Sequence, residues 1–224
     1  MNISNKNYGS RELMAKWYNT EKYFQSRQWM ENKVLTTLRP SLQNLKEKKD
    51  LVGVEVGIGN CINSRNILDN LDIKKLYLID VNLPPAEPGI SLIKDPRTTF
   101  LHGDSLECLK NINEPLDFAY LDGSHVMQHV LEEISIVYEK VKTGGILGGH
   151  DYDQIGVMAA AQTFMINLWR FNKEKPKNFF VESCRDNHPG YPSEYLEFGF
   201  PLDWWITKEK DLGPEFEILN LRNG

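Results

Sequence analysis

A chain of 224 residues with 31 acidic and 26 basic side chains, a formal net charge of −5, is long enough to bury one α/β core and too acidic for a general nucleic-acid binder. Its three cysteines, Cys61, Cys108 and Cys184, are scattered without a CxxC pattern, which argues against a disulfide framework or zinc site and for a reducing, cytoplasmic setting. No run approaches the roughly 18 apolar residues of a membrane span, and the polar opening MNISNKNYGS has no signal-type apolar stretch, so a soluble chain with no membrane partner is expected.

In chain order, residues 11 to 48 read as helix: Leu13, Trp17, Phe24, Met30, Val34, Leu35 and Leu38 recur at three- and four-residue steps, and Pro40 is a break. The segment 1–48 is therefore read as a helical extension ahead of a main domain over 49–224. DLVGVEVG is a short, β-branched apolar run, the pattern of a buried strand, and CINSRNILDNL is the helix that follows it. KKLYLIDVN, TTFLHGD, LDFAYLDG and GGILGGHDYD supply the second to fifth strands, separated by helical or loop material. Such alternation predicts a parallel, layered sheet. Between the second and third strands, Pro84, Pro85, Pro88 and Pro96 predict a rigid loop in place of an ordinary helix. HVMQHVLEEISIVYEKV sets Val126, Val130, Ile134 and Val137 at helical spacing, and 153–172 is a further helix. KNFFVES and DWWITKE are two last strands joined by a long aromatic loop, 184–201.

In an open parallel sheet, ligands bind outside the carboxyl ends of the strands where strand order reverses. Gly57 and Gly59 close the first strand, Asp80 the second, Asp122 the fourth and Asp151 the fifth, and Asp104 follows the third. Any one of these acids is also what a turn or helix cap selects; five in register point to one crevice. Asp80 follows Glu55 by 25 residues, a spacing at which an acid accepts hydrogen bonds from both hydroxyls of a ribose bound over the first turn. The turn GIGNC has Ile62 where GxGxxG has its third glycine, a poor cradle for a dinucleotide pyrophosphate. A nucleoside ligand without phosphates, such as S-adenosylmethionine, meets the same needs.

EVGIGN, LYLIDVN, HGDSLECL, LDFAYLDGSHVMQHVLEEI and VKTGGILGGHDYD together resemble the class I S-adenosylmethionine-dependent methyltransferases over residues 51 to about 153. The DGSH…GGILGGHDYD pair looks more narrowly like the small-molecule O-methyltransferase branch that includes macrocin-type enzymes. The resemblance implies a Rossmann-like, doubly wound, mostly parallel seven-stranded sheet with helices on both faces and the last strand antiparallel. It implies O-methylation of a hydroxylated small molecule, a sugar, antibiotic or other natural product. By the same carry-over Glu55, Gly57 and Gly59 shape the cofactor turn, Asp80 binds ribose, Asp104 and Ser105 meet the adenine edge, and Asp122 faces the methionine end and the substrate.

Some members of that branch hold a divalent cation on acids at the ends of the fourth and fifth strands, here Asp122 and Asp151, with His150 where such relatives often have an acid. A ligand set of Asp122, His150 and Asp151 is thus implied, and the imidazole favours a transition metal over magnesium. Without a metal, His125 or His150 acts as general base, its ordinary pKa lying near neutrality, so Asp122, His125 and His150 are the catalytic candidates. His125 read blandly caps the helix after Asp122. His129, one turn on, reads as a solvated helix face, and His102 and His188 carry no role. Tyr191, Tyr195, Phe198 and Phe200 read equally as a substrate wall or as hairpin packing. Trp17, Tyr18, Tyr23, Phe24 and Trp29 read as a lid, a homo-oligomer contact or core. Three rivals stay open: a NAD-type dehydrogenase, a catalytically silent binding module on the same fold, and methylation of nucleic acid or protein. The last is disfavoured by charge and by the lack of an Asn-Pro-Pro-Tyr type motif.

Overall fold

Leu51–Val56, the first strand β1, is buried at all six positions, as a strand covered on both faces must be. In the computed structural model, which describes residues 38–172, 178–183 and 202–210, β1 is followed by helix α1 (Ile62–Asn70) and strand β2 (Ile73–Asp80). Next come α2 (Gly89–Leu92), β3 (Thr98–His102), α3 (Ser105–Lys110), β4 (Leu116–Leu121) and α4 (Met127–Lys140). The chain continues through β5 (Val141–Gly149), α5 (Ile155–Asn172), β6 (Phe179–Ser183) and β7 (Leu202–Thr207). Among the described residues no helix is long and apolar enough to cross a membrane.

The strands form one seven-stranded sheet in the order β3-β2-β1-β4-β5-β7-β6. β1 pairs in parallel with β2 on one side and β4 on the other, so strand order reverses there. Only β7 runs against the rest, inserted antiparallel between β5 and β6. Alternate side chains divide between two cores, as the two-residue strand period requires. Val54, Ile79, Ala119, Leu147 and Trp204 pack with α4 and α5 through Val130, Ile134, Val137 and Phe164. Leu76, Leu78, Phe118, Tyr120 and Trp205 pack on the other face with Ile67 and Leu68 of α1.

Two local expectations change. Pro40 does not break a helix but opens one: Pro40–Leu45 is a short 3₁₀ helix with proline in its first turn, where the fixed φ and missing N–H cost nothing. Leu38, Leu42 and Leu45 place this part of the 1–48 segment inside the α1-side core. The proline-rich stretch between β2 and β3 is not wholly a loop, because Pro88 stands just ahead of residues 89–95, which lack proline, and one helical turn closes as α2. The earlier part of the N-terminal helix, with its Trp and Tyr residues, lies outside the described residues. So does the aromatic loop 184–201 with His188.

Candidate active site

The carboxyl-terminal tips of the parallel strands are held level by backbone hydrogen bonds, each from a residue at one tip to its neighbour. Gly103 N–H donates to Asp80 at 3.0 Å, Gly57 to Ile79 at 2.9 Å, Asp122 to Val56 at 2.8 Å and His150 to Leu121 at 2.9 Å. Side chains that follow the tips therefore share one rim. That rim opens into a cleft of about 480 Å³ bordered by Gly57, Gly59, Asp80, Asp104, Ser105 and Asp122, at the reversal between β1 and β4. A larger hollow of about 620 Å³ lies at the other end of the sheet, between the α3–β4 loop and the start of β5. It has neither a glycine turn nor the strand tips, and we assign the ligand to the smaller cleft.

Gly57 and Gly59 both have positive φ, +80° and +48°, but for different reasons. A Cβ on Gly57 would lie 2.1 Å from the Asp122 carbonyl oxygen, so β4 dictates glycine there, whereas a Cβ on Gly59 would meet no atom within 4 Å. Of the two glycines expected to admit a ligand, Gly59 opens the cleft and Gly57 lets β1 pass β4. Asp80 ties the turn to β2: its Oδ2 accepts from Gly59 N–H at 3.1 Å and its Oδ1 from Asn82 N–H at 2.8 Å. Glu55 is buried beneath, accepting from Asn63 Nδ2 at 3.0 Å and Ser64 Oγ at 2.5 Å in the first turn of α1. Burial pushes its carboxyl up to about 7, against the pull of those two donors.

Asp104 and Ser105, expected at the adenine edge, line the cleft with most of their bonding capacity used internally. Asp104 Oδ1 caps α3, accepting from Leu106 N–H at 3.0 Å and Glu107 N–H at 3.3 Å. Ser105 Oγ donates to Glu133 Oε1 at 2.5 Å and lies 2.8 Å from His129 Nε2. His129 is thus not on a solvated helix face, as its sequence position predicts. It turns onto the cleft wall because the buried Glu133 one turn along α4 draws it in, at 3.3 Å. Burial raises the Glu133 carboxyl, while Ser105 and His129 pull it down. A glutamate among Val130, Ile134 and Val137 on the apolar side of α4 was the sequence signal for this group.

Past Asp122 the rim carries two histidine–aspartate pairs. His125 Nε2 lies 2.9 Å from Asp151 Oδ2, so His125 does not serve as a cap for α4. His150 Nδ1 lies 2.8 Å from Asp203 Oδ1, which also accepts from the Tyr120 hydroxyl at 3.0 Å. Burial lifts the Asp122 carboxyl to about 6, although His150 and Arg39 favour its charged form. The metal trio of Asp122, His150 and Asp151 is not assembled. Among the described residues no three His, Cys, Asp or Glu side chains form a group fit to hold a cation. Asp203 takes His150 Nδ1, His150 Nε2 stands 3.8 Å from Asp151 Oδ1, and His125 takes the other Asp151 oxygen. The space among these side chains, about 10 Å³, is room for about one water. Asp203 escaped sequence reasoning; its signal was a lone acid in the apolar strand LDWWIT, where a buried charge must find donors.

Comparison with known proteins identifies the central segment. Residues 52–152 match the family described as methyltransferase domain. An uncharacterised protein of Acanthamoeba polyphaga mimivirus is 26% identical over 167 residues, covering 67% of this chain and 75% of that one. Among solved structures, an rRNA methylase from Streptococcus thermophilus superposes with a TM-score of 0.52 at 16% identity, over 76% of this chain and 93% of that one. MycE methyltransferase from the mycinamycin biosynthetic pathway, in complex with Mg and SAH, gives 0.52 at 15%, over 80% of this chain and 50% of MycE. At these identities the likeness is one of fold. The methyltransferase-domain match ends at Tyr152, so it takes in the cleft, α4 and the tip of β5 but not β7.

Proposed function

We propose that the chain is an S-adenosylmethionine-dependent methyltransferase that acts on a hydroxyl group of a small molecule, a sugar, antibiotic or other natural product. The observation that carries this reading is the cleft at the β1–β4 reversal, entered over Gly59 and flanked by Asp80. Its size suits a nucleoside-bearing ligand. The open space above Gly59 and the carboxylate of Asp80 fit a ribose laid over the turn. When bound, S-adenosylmethionine supplies a methyl group on a sulfonium, open to in-line displacement.

The chain's own task at the other end of the cleft is to orient a hydroxyl and remove its proton. His125 is the residue placed for that: its side chain is 51% exposed, against 12% for His150, and Asp151 holds its Nε2, leaving Nδ1 to accept. As the substrate oxygen bonds to the methyl carbon, the carbon–sulfur pair returns to sulfur and the hydroxyl proton passes to His125. The cleft is bordered by Asp80, Asp104, Asp122 and Glu133 and by no Lys or Arg among the described residues. This favours a neutral acceptor over a phosphate backbone.

Calorimetric titration of the full chain with S-adenosylhomocysteine and with NADH is the first test, binding of the former alone being expected. A mass-spectrometric screen of hydroxylated small molecules for the gain of one methyl group is the second. His125→Ala is expected to lower transfer by about 10²-fold or more while S-adenosylhomocysteine still binds. Absence of that binding in the wild-type chain overturns the reading.

A further inference from the structure

The wall of the cleft beside β3 carries a hydrogen-bonded group whose proton positions can be worked out. Ser105 has one hydroxyl hydrogen, and the 2.5 Å contact to Glu133 Oε1 commits it to the carboxylate. The 2.8 Å contact between Ser105 Oγ and His129 Nε2 is then a hydrogen bond only if Nε2 carries the hydrogen and donates it. The same Nε2 lies 3.3 Å from Glu133 Oε1, a second acceptor for that hydrogen. A neutral imidazole with its hydrogen on Nε2 has a bare lone pair on Nδ1. Among the described residues no group bonds to Nδ1. The neighbouring candidates for reading a base are already in use, Asp104 Oδ1 as the α3 cap and the Ser105 hydroxyl in both directions.

We propose that His129 Nδ1 accepts a hydrogen bond from the 6-amino group of the cofactor's adenine, with Ser105 and Glu133 fixing the tautomer that makes it an acceptor. The proposal rests on the cofactor reading above and adds which residue distinguishes the base. Asp80 beside Gly59 fixes the ribose, and the cleft wall at Gly103 to Ser105, with His129, is where a base attached to that ribose is received. An adenine 6-amino group offers N–H donors to a lone pair. A 6-oxo purine offers another lone pair in the same place, and two acceptors facing each other are left without a hydrogen.

Calorimetric titration of the full chain with S-adenosylhomocysteine and its 6-oxo analogue S-inosylhomocysteine tests this. The wild-type chain is expected to prefer the amino form by about tenfold or more, the value of one well-made polar contact. His129→Leu is expected to bring the ratio down to within about twofold, chiefly by weakening the amino form, and Ser105→Ala to lower it by releasing the tautomer. Nitrogen-15 NMR of the wild-type protein is expected to show His129 protonated at Nε2 near neutral pH. An unchanged ratio in both variants, or a hydrogen on Nδ1, overturns the proposal. A wild-type chain that binds neither compound overturns the cofactor reading itself, a distinct result.

Discussion

At Gly57 and Gly59 the same added methyl group meets different surroundings, which makes the pair a test of what each glycine does. Gly57→Ala drives a Cβ to 2.1 Å from the Asp122 carbonyl and 2.6 Å from Gly123 Cα, at a φ of +80°. It is expected to lower stability in urea denaturation by about 2 kcal/mol or more. Gly59→Ala has open space and only the left-handed conformation to support, so it is expected to cost about 1 kcal/mol. Because that methyl projects into the cleft, it is also expected to weaken S-adenosylhomocysteine binding about tenfold, read by calorimetry. Glu55 gives a pH test. Its buried carboxyl sits at about 7 where an ordinary one sits at 4.5. Between those values the folded chain keeps a proton that the unfolded chain has released, so stability falls as pH rises through that window. Glu55→Gln is expected to shrink the stability difference between about pH 5 and pH 8 by roughly 2 to 3 kcal/mol, measured by urea denaturation at both. The sequence placed Glu55, Asp80 and Asp122 correctly at strand ends. It could not say that Glu55 faces inward to Asn63 and Ser64, because a position at a strand tip does not decide which side chains of the next helix turn come back over it.

Between elements, the contact that matters most for chemistry is the one between α5 and the loop after β4. A Cβ on Gly156, in the first turn of α5, would stand 1.9 Å from the His125 carbonyl and 3.2 Å from the Met127 nitrogen. The Asp151 carboxylate closes the same junction from β5, its backbone held at a φ of +57°. Gly156→Ala is expected to shift His125, lowering methyl transfer by about tenfold or more while S-adenosylhomocysteine affinity stays within about twofold, since the β1–β3 side of the cleft is untouched. Equal loss of both would mean a general unfolding and not a displaced base. At this scale the strands were the most legible elements, because buried parallel strands are short, apolar and β-branched. The turn of helix at Gly89–Leu92 was not, since proline count alone does not mark the proline-free interval after Pro88. The 3₁₀ helix at Pro40–Leu45 was missed because proline in a first turn and proline as a breaker look alike in sequence.

Over the whole molecule, the alternation of strand and helix, the acids at successive strand tips and the glycine turn with its displaced third glycine were enough to reach a layered α/β fold and a nucleoside-bearing ligand. These features are legible because each is local: a period of two or about 3.6 residues, or a residue type that a turn requires. The tertiary structure alone decided the rest. It set the strand order β3-β2-β1-β4-β5-β7-β6, which puts the reversal and therefore the cleft beside β1. It also chose the hydrogen-bond partners: Ser105 with His129 and Glu133 across 24 and 28 residues, and Asp203 with His150 and Tyr120 across 53 and 83. Those pairings turned an expected metal trio into two histidine–aspartate pairs. A carboxylate or imidazole excluded from water takes whichever donor or acceptor the packing of distant elements brings within about 3 Å, and no local pattern in the chain encodes that distance.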